Sequence, residues 1–175
     1  LYARETMERN IRDIVPDEQL ADQIIETYFA PVHRAAADAN RLKNRYRDQV
    51  RSMNLSRNVA EGNTVSEAHA VQLLGEAEDN IRMIQQSRGR RRVRDGKTLE
   101  EWQAVVNDLW AENPNLDQQK IRSAVAEFRT IYDELFQQMN DTRIRNGYEP
   151  VNYRQGYFPH FQPGDGDGIM AQFGR

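Results

Sequence analysis

The chain of 175 residues contains no cysteine. This absence excludes disulfide bonds, thiol catalysis and cysteine zinc sites, so packing must supply the stability. No apolar run approaches the length that crosses a bilayer, and the start of the sequence lacks the apolar core of a signal peptide. Positive charge is not in excess either. The formal net charge of -3 at pH 7 argues against a global attraction to nucleic acid or to anionic membranes.

The composition favours long helices in a single domain. Hydrophobic residues make up 38% of the chain and charged residues 29%, which suits helices that bury one stripe and expose the rest. The length is that of one domain with a core of its own. Because the sequence opens inside an apparent helix, without Met, and stops just past a Gly-rich tail, we expect it to be a fragment of a longer polypeptide.

Three stretches repeat apolar residues at alternating steps of four and three, which is the spacing of one helix face. They comprise Ile25, Tyr28, Val32, Ala35, Ala39, Leu42, Tyr46 and Met53; Ala70, Leu74, Ala77, Ile81 and Ile84; and Ile121, Val125, Phe128, Tyr132, Leu135 and Met139. Several such faces can bury one another. The pattern predicts an all-α, elongated bundle of four or five helices, with long coiled-coil-like helices and an extended aromatic C-terminal tail.

Local signals place the helix boundaries. The first face stays in phase across Pro31, so we favour one kinked helix from about residue 17 to residue 53 over a clean break at the proline. Thr64 with Glu67, and Thr98 with Glu101, have the spacing of a capping box at a helix start. The last helix should begin after Asp117 and stop at Gly147, a residue type suited to the position after a helix end.

We divide the chain into a helical bundle, residues 1–147, and an extended aromatic and Gly-rich tail, residues 148–175. The tail packs on the bundle or leads to a further domain. Its aromatic residues around a proline could dock on this chain's own bundle or on a partner's groove, and self-docking is favoured because exposed aromatics in such number are usually buried. The docking candidates are Tyr157, Phe158, Pro159, His160 and Phe161.

A dense basic run is the candidate for nucleic-acid binding. Arginine forks onto phosphate oxygens and releases counterions, which gives affinity even in an acidic chain. Aromatic residues for base stacking are missing here, so a solvated loop or an acidic protein partner are the alternatives. The run comprises Arg88, Arg90, Arg91, Arg92, Arg94 and Lys97.

The sequence offers no catalytic or metal site that we would assign, and no cofactor. His33, His69 and His160 lie on separate segments, without the spacing that joins histidine to carboxylate ligands. Glu76, Glu78 and Asp79 fall opposite the apolar face of their helix, so we expect them to be exposed carboxylates. Trp102 and Trp110 are expected in the core, with an interface role as the alternative.

Three segments of the last third carry a distinctive pattern: FRTIYDEL at 128–135, NDTRIRNGYEP at 140–150 and NYRQGYFPHF at 152–161. In this pattern the chain resembles large proteins encoded by bacteriophages and prophages, in regions near virion-associated modules. The resemblance implies a helical region of a multi-domain, virion-associated or polyvalent phage protein, and it carries over no catalytic residue. It implies structural roles at the helix exit and the following turn for Gly147, Pro150, Tyr157, Phe158, Pro159 and His160.

The expected function is therefore a non-enzymatic structural, assembly or protein-interaction module of a phage-derived protein. Its partners would be other domains of the same polypeptide or other virion proteins. Homo-oligomerisation is an open alternative, and no membrane is expected. The location would be the virion, or the bacterial cytoplasm during phage assembly. Two rivals stay open: a nucleic-acid-binding module that uses the Arg88 to Lys97 loop, and a fragment of a larger enzyme whose active site lies outside this chain.

Overall fold

A computed structural model describes residues 2–86, 96–152, 154 and 156–159. Regular structure in these ranges is helical throughout, without a strand. The helices are α1 (Tyr2–Ile14), α2 (Glu18–Ile24), a π-helical segment (Ile25–Phe29), α3 (Ala30–Ser52), α4 (Glu67–Gln86), α5 (Leu99–Glu112) and α6 (Gln118–Arg145). Because α2, the π segment and α3 are continuous, these ranges contain five helices, and the predicted all-α class is confirmed.

The chain forms two compact units, Leu1–Arg47 and Asp48–Arg175. The first contains α1, α2, the π segment and most of α3. The second contains α4, α5, α6 and the described part of the tail. The predicted division at residue 147 stays a prediction.

The long helix, residues 18–52, passes Pro31 without a break, as predicted. The residues before the proline form the π segment, in which the Ala30 N–H donates to the Ile25 carbonyl, five residues back. Proline removes one helical hydrogen bond, and its ring clashes with a carbonyl of the preceding turn in an ordinary α-helix. The wider π turn is one of the known ways in which a helix absorbs such a defect.

The predicted apolar face of this helix is wrong around the proline. Tyr28 is 67% exposed and Val32 65% exposed, whereas Ala21, Ile25 and Ala30 are buried. The buried positions step by four and then by five, because the π turn inserts one extra residue and rotates the covered face. A prediction based on steps of three and four cannot follow that shift.

In the second unit, α4 is the central helix. Ala70, Val71, Leu74 and Ala77 are completely buried, and α4 packs on both α5 and α6. Trp102 of α5 joins Ala77 and Ile84 in one core cluster. On α6 the predicted face is buried at Ile121, Val125 and Phe128, whereas Met139 near the end of the helix is exposed.

Two of the predicted helix starts are confirmed, and one is wrong. Thr98 and Glu101 form the capping box of α5, and Asp117 accepts the Lys120 N–H at the start of α6. At α4 the cap is Ser66, whose hydroxyl accepts the His69 N–H at 3.2 Å. The predicted box with Thr64 does not form, because Glu67 turns to other partners.

The end of α6 follows the prediction. Gly147 has a positive φ of 76°, a conformation that glycine adopts without the penalty of a Cβ. The Gly147 N–H donates to the Ile144 carbonyl and the Tyr148 N–H to the Arg143 carbonyl. This pair of hydrogen bonds is a Schellman motif, which ends the helix and turns the chain back.

Candidate functional site

After this turn the chain runs back along α6; we call the described residues of segment 151–159 the strap. Its first anchor is Asn140, whose side chain accepts the Val151 N–H at 2.8 Å and donates to the Val151 carbonyl at 3.0 Å. A second anchor lies two turns earlier on α6, where Asp133 Oδ1 accepts the Gly156 N–H at 2.9 Å. The two anchors fix the strap antiparallel to the helix.

The Phe158 ring fills a notch between α4 and α6. Phe158 is completely buried, and its ring meets Phe128 edge to face, with the centroids 6.5 Å apart. On the α4 side the ring lies directly against Gly75, where a Cβ would overlap three of its carbon atoms. The notch therefore exists because residue 75 has no side chain.

Beside the notch, Asp79 of α4 binds two arginines. Its carboxylate is completely buried and accepts a hydrogen bond from Arg82 Nη2 at 2.6 Å and another from Arg154 Nη2 of the strap. Arg82 also donates to the Gly156 carbonyl. A buried carboxylate is tolerated only when it is paired and hydrogen-bonded, and here Arg154, from the strap, supplies one of the two cations.

The prediction that Glu76, Glu78 and Asp79 are exposed carboxylates is therefore wrong for Asp79. Glu78 is partly covered too, by ion pairs with Arg122 at 3.2 Å and Arg129 at 3.0 Å of α6. The reason is that neighbours surround α4 on most sides, so its covered surface is wider than the apolar stripe.

Tyr157 continues the strap along α6. Its ring packs edge to face on Tyr132 and Phe136, at centroid distances of 6.4 and 6.3 Å, and the Arg154 guanidinium lies over it at 5.0 Å. Burial, with the neighbouring Tyr157 hydroxyl as a lesser cause, raises the pKa of Tyr132 well above its ordinary value. The phenol at this contact stays neutral.

A cluster of polar side chains holds the loop before α4, by hydrogen bonds, against the end of α5 and the start of α6. Asn113 is buried, and its Oδ1 accepts the backbone N–H groups of Thr64 at 2.7 Å and Val65 at 2.9 Å. Nearby, Glu67 accepts the Ser56 N–H at 2.8 Å and pairs with Lys120 Nζ at 2.5 Å. Sequence reasoning missed these roles of Asn113 and Glu67, because the partners of both residues are distant in the chain.

Burial alone would raise the pKa of Glu67, but hydrogen bonds from Lys120 and the Ser56 N–H, with the Lys120 charge, lower it below its ordinary value of 4.5. The hydrogen bonds and the ion pair at Glu67 therefore favour its ionised form.

The structure places some of the predicted site residues. Of the predicted basic run, residues 88–94 lie outside the described residues, whereas Lys97 Nζ sits 4.5 Å from the centroid of the Trp102 ring. His160 and Phe161 also lie outside them. Trp110 is half-buried under the Arg122 guanidinium.

In the described residues, no group of three or more His, Asp and Glu side chains is placed to hold a metal ion. None of the helices there is both long and apolar enough to cross a membrane.

The cleft between α4 and α6 offers three features to a chain that lies in it. They are the Asp79 carboxylate for an arginine, the Asp133 carboxylate for a backbone N–H, and a notch for a phenyl ring. These features suit the binding of an extended peptide.

Comparison with known proteins gave no match to a protein family model, to a curated protein or to a solved structure.

Proposed function

We propose that this chain is a non-enzymatic structural and protein-interaction module of a phage-derived protein. The proposal rests on the contacts that the Asp79 carboxylate makes. A fully buried carboxylate is the kind of group that an active site would exploit, but here its charge is balanced by Arg82 and by Arg154 of the chain's own strap. Asp79 thus fastens the strap.

The phage setting rests on the resemblance of the last third of the chain. Several of its motif residues have a mechanical role in the described contacts: Gly147 ends α6, Tyr157 packs on that helix, and Phe158 fills the notch. These roles support a structural interpretation of the motif. The proposed location is the virion, or the bacterial cytoplasm during phage assembly, and the proposed partners are neighbouring domains or other virion proteins.

The coding sequence on either side of this chain tests the setting. Capsid, portal or other virion domains in the same reading frame would support it. A flanking domain of a cellular metabolic enzyme, in a genome region without phage genes, would contradict it.

The fastening role of Asp79 is tested by Asp79→Asn. If Asp79 is held between two cations, removal of its charge should lower the unfolding free energy of the protein by about 1–3 kcal/mol, because both guanidinium groups lose a charged partner. If Asp79 were instead a catalytic carboxylate in an unfavourable electrostatic field, the same substitution should leave the unfolding free energy unchanged or raise it. The measurement is urea unfolding followed by tryptophan fluorescence, which reports on the second unit through Trp102 and Trp110.

Glu78→Gln is the matched control. It lies on the same helix and also faces two arginines, but its side chain is 28% exposed, so the expected loss is about 0–1 kcal/mol. An Asp79→Asn protein as stable as the parent, or more stable, would contradict the fastening role.

A further inference from the structure

The cleft between α4 and α6 fits the sequence of the strap most closely at Gly156. This residue has a φ of 69°, and a Cβ there would overlap the Arg82 guanidinium. Glycine suits that backbone best, and it stands between Arg154, which pairs with α4, and Phe158, which fills the notch. The cleft therefore matches the order Arg-x-Gly-Tyr-Phe, the sequence of residues 154–158. Every copy of the chain carries such a segment in its own strap.

The turn that joins α6 to the strap is short and exposed. Residues 144–150 are all exposed, and no atom lies within 4 Å of the place that a Cβ on Gly147 would take. The chain reverses there through local hydrogen bonds and the positive φ of this one glycine, and not through buried side chains. Short turns next to a docked segment are the places at which proteins exchange that segment between copies.

Uncovered surface lies at the same end of α6. No residue of this helix after Ile131 is buried. Around the turn, Ile144, Tyr148 and Val151 are exposed large apolar side chains. Ile144 lies one helical turn beyond Asn140, which holds Val151 by two hydrogen bonds, so Ile144 and the start of the strap share one side of α6. A second copy that arrived at this end would find apolar surface to cover.

We propose that two copies of this chain exchange straps, so that each strap lies in the cleft between α4 and α6 of the other copy. The two chains then cross at residues 147–150, on a two-fold axis beside the ends of both α6 helices. The cleft makes the same contacts with the strap of either copy, so none of them is lost. The exchange also frees Gly147 from the reversal and brings Ile144 and Tyr148 close to the second copy.

The exchange gives the proposed interaction module its partner, a second copy, and therefore rests on that proposal. At low concentration the single chain with its own strap docked is favoured, because the strap is tethered beside its cleft. Failure of the two proposals is distinguishable. Asp79→Asn measures whether the strap is fastened, which holds for a chain that never exchanges, whereas the experiments below measure only which copy supplies the strap.

Gly147→Ala is the variant that should drive the exchange. Alanine resists a positive φ and favours a continued helix, and it meets no neighbour in the turn. The reversal is therefore penalised in the single chain and relieved in the exchanged pair, so the dimer dissociation constant should fall at least about tenfold. Gly96→Ala is the matched control: φ is 71° and the space around its Cβ is also open, but Gly96 precedes α5 and lies outside the turn. It should leave the dissociation constant unchanged.

Sedimentation velocity over a dilution series up to about 1 mM, the effective concentration of a short tether, measures the association of full-length protein. The parent should form dimers at the upper end of the series, Gly147→Ala at lower concentration, and Phe158→Ala, which cannot fill the notch, should form fewer than the parent. Circular dichroism checks that each variant keeps its helix content. If the parent and Gly147→Ala are monomeric throughout, or if Gly96→Ala gains as much as Gly147→Ala, the exchange does not occur.

Isotope-filtered nuclear Overhauser spectra identify the copy that supplies the ring. Isotope-labelled and unlabelled Gly147→Ala chains are unfolded, mixed and refolded together, and the dimer is isolated. Exchange predicts cross-peaks between the Phe158 ring of one copy and the Gly75 α-protons of the other. A dimer in which this contact joins residues of the same copy alone is an ordinary surface dimer, and it would overturn the proposal.

Discussion

Gly75→Ala perturbs the notch by a single methyl group. In most helix interiors this change stabilises the protein by about 1 kcal/mol, because alanine is the better helix former. At Gly75 the added Cβ would overlap the Phe158 ring. Gly75 lies inside a helix, whereas the ring lies near the end of the described strap, so the ring is the part that must move.

The size of the effect follows from what Phe158 loses. Exposing a fully buried phenylalanine costs about 1.5–3 kcal/mol, and the edge-to-face contact with Phe128 contributes about 0.5–1.5 kcal/mol more. After subtraction of the helical gain, Gly75→Ala should lower the unfolding free energy of the second unit by about 1–3.5 kcal/mol. In a Phe158→Ala background the same substitution should instead raise it by up to about 1 kcal/mol, since no ring is left to displace.

The assay is urea unfolding of the parent, both single variants and the double variant, followed by tryptophan fluorescence. Both tryptophans lie on α5, so the signal reports on the second unit. The decisive quantity is the change of sign between the two backgrounds, which differences in general helix stability cannot produce. If Gly75→Ala stabilises the parent as much as it stabilises Phe158→Ala, the ring does not occupy the notch.

A further prediction concerns Glu67. Because its folded-state pKa is lowered, its contribution to stability should be complete above pH 4.5 and should be lost as the pH falls through the folded value. Glu67→Gln should therefore be less stable than the parent at neutral pH and should converge with it in acid, as measured by urea unfolding at several pH values. Lys120→Met should flatten the same pH dependence, and a parallel offset of parent and Glu67→Gln at every pH would contradict this origin.

Local chemistry in the sequence predicted the helices well. Thr98 with Glu101, Asp117 and Gly147 each act within a few residues of themselves, so their roles can be recognised without knowledge of the fold. The apolar spacing of α4 and of the first half of α6 likewise predicted their buried faces.

Long-range contacts account for what the sequence did not reveal. Asp79 is buried because Arg154, 75 residues later, covers it, and Glu67 leaves the predicted capping box because Lys120 and Ser56 hold it. Tyr28 was misplaced for a different reason: the π segment before Pro31 rotates the buried face by one residue. Helical spacing contains no signal for any of these three features. A charged residue among apolar positions of a helix is nevertheless a reason to search for a distant partner.

The central claim is that the strap occupies the cleft on α4, and nuclear Overhauser effects between the Phe158 ring protons and the Gly75 α-protons test it most directly. The contact predicts strong cross-peaks, with the Gly75 α-protons shifted upfield by the ring and both effects lost in Phe158→Ala. A spectrum in which α4 is helical but these cross-peaks are absent would contradict the docked strap, and with it the role assigned to Asp79.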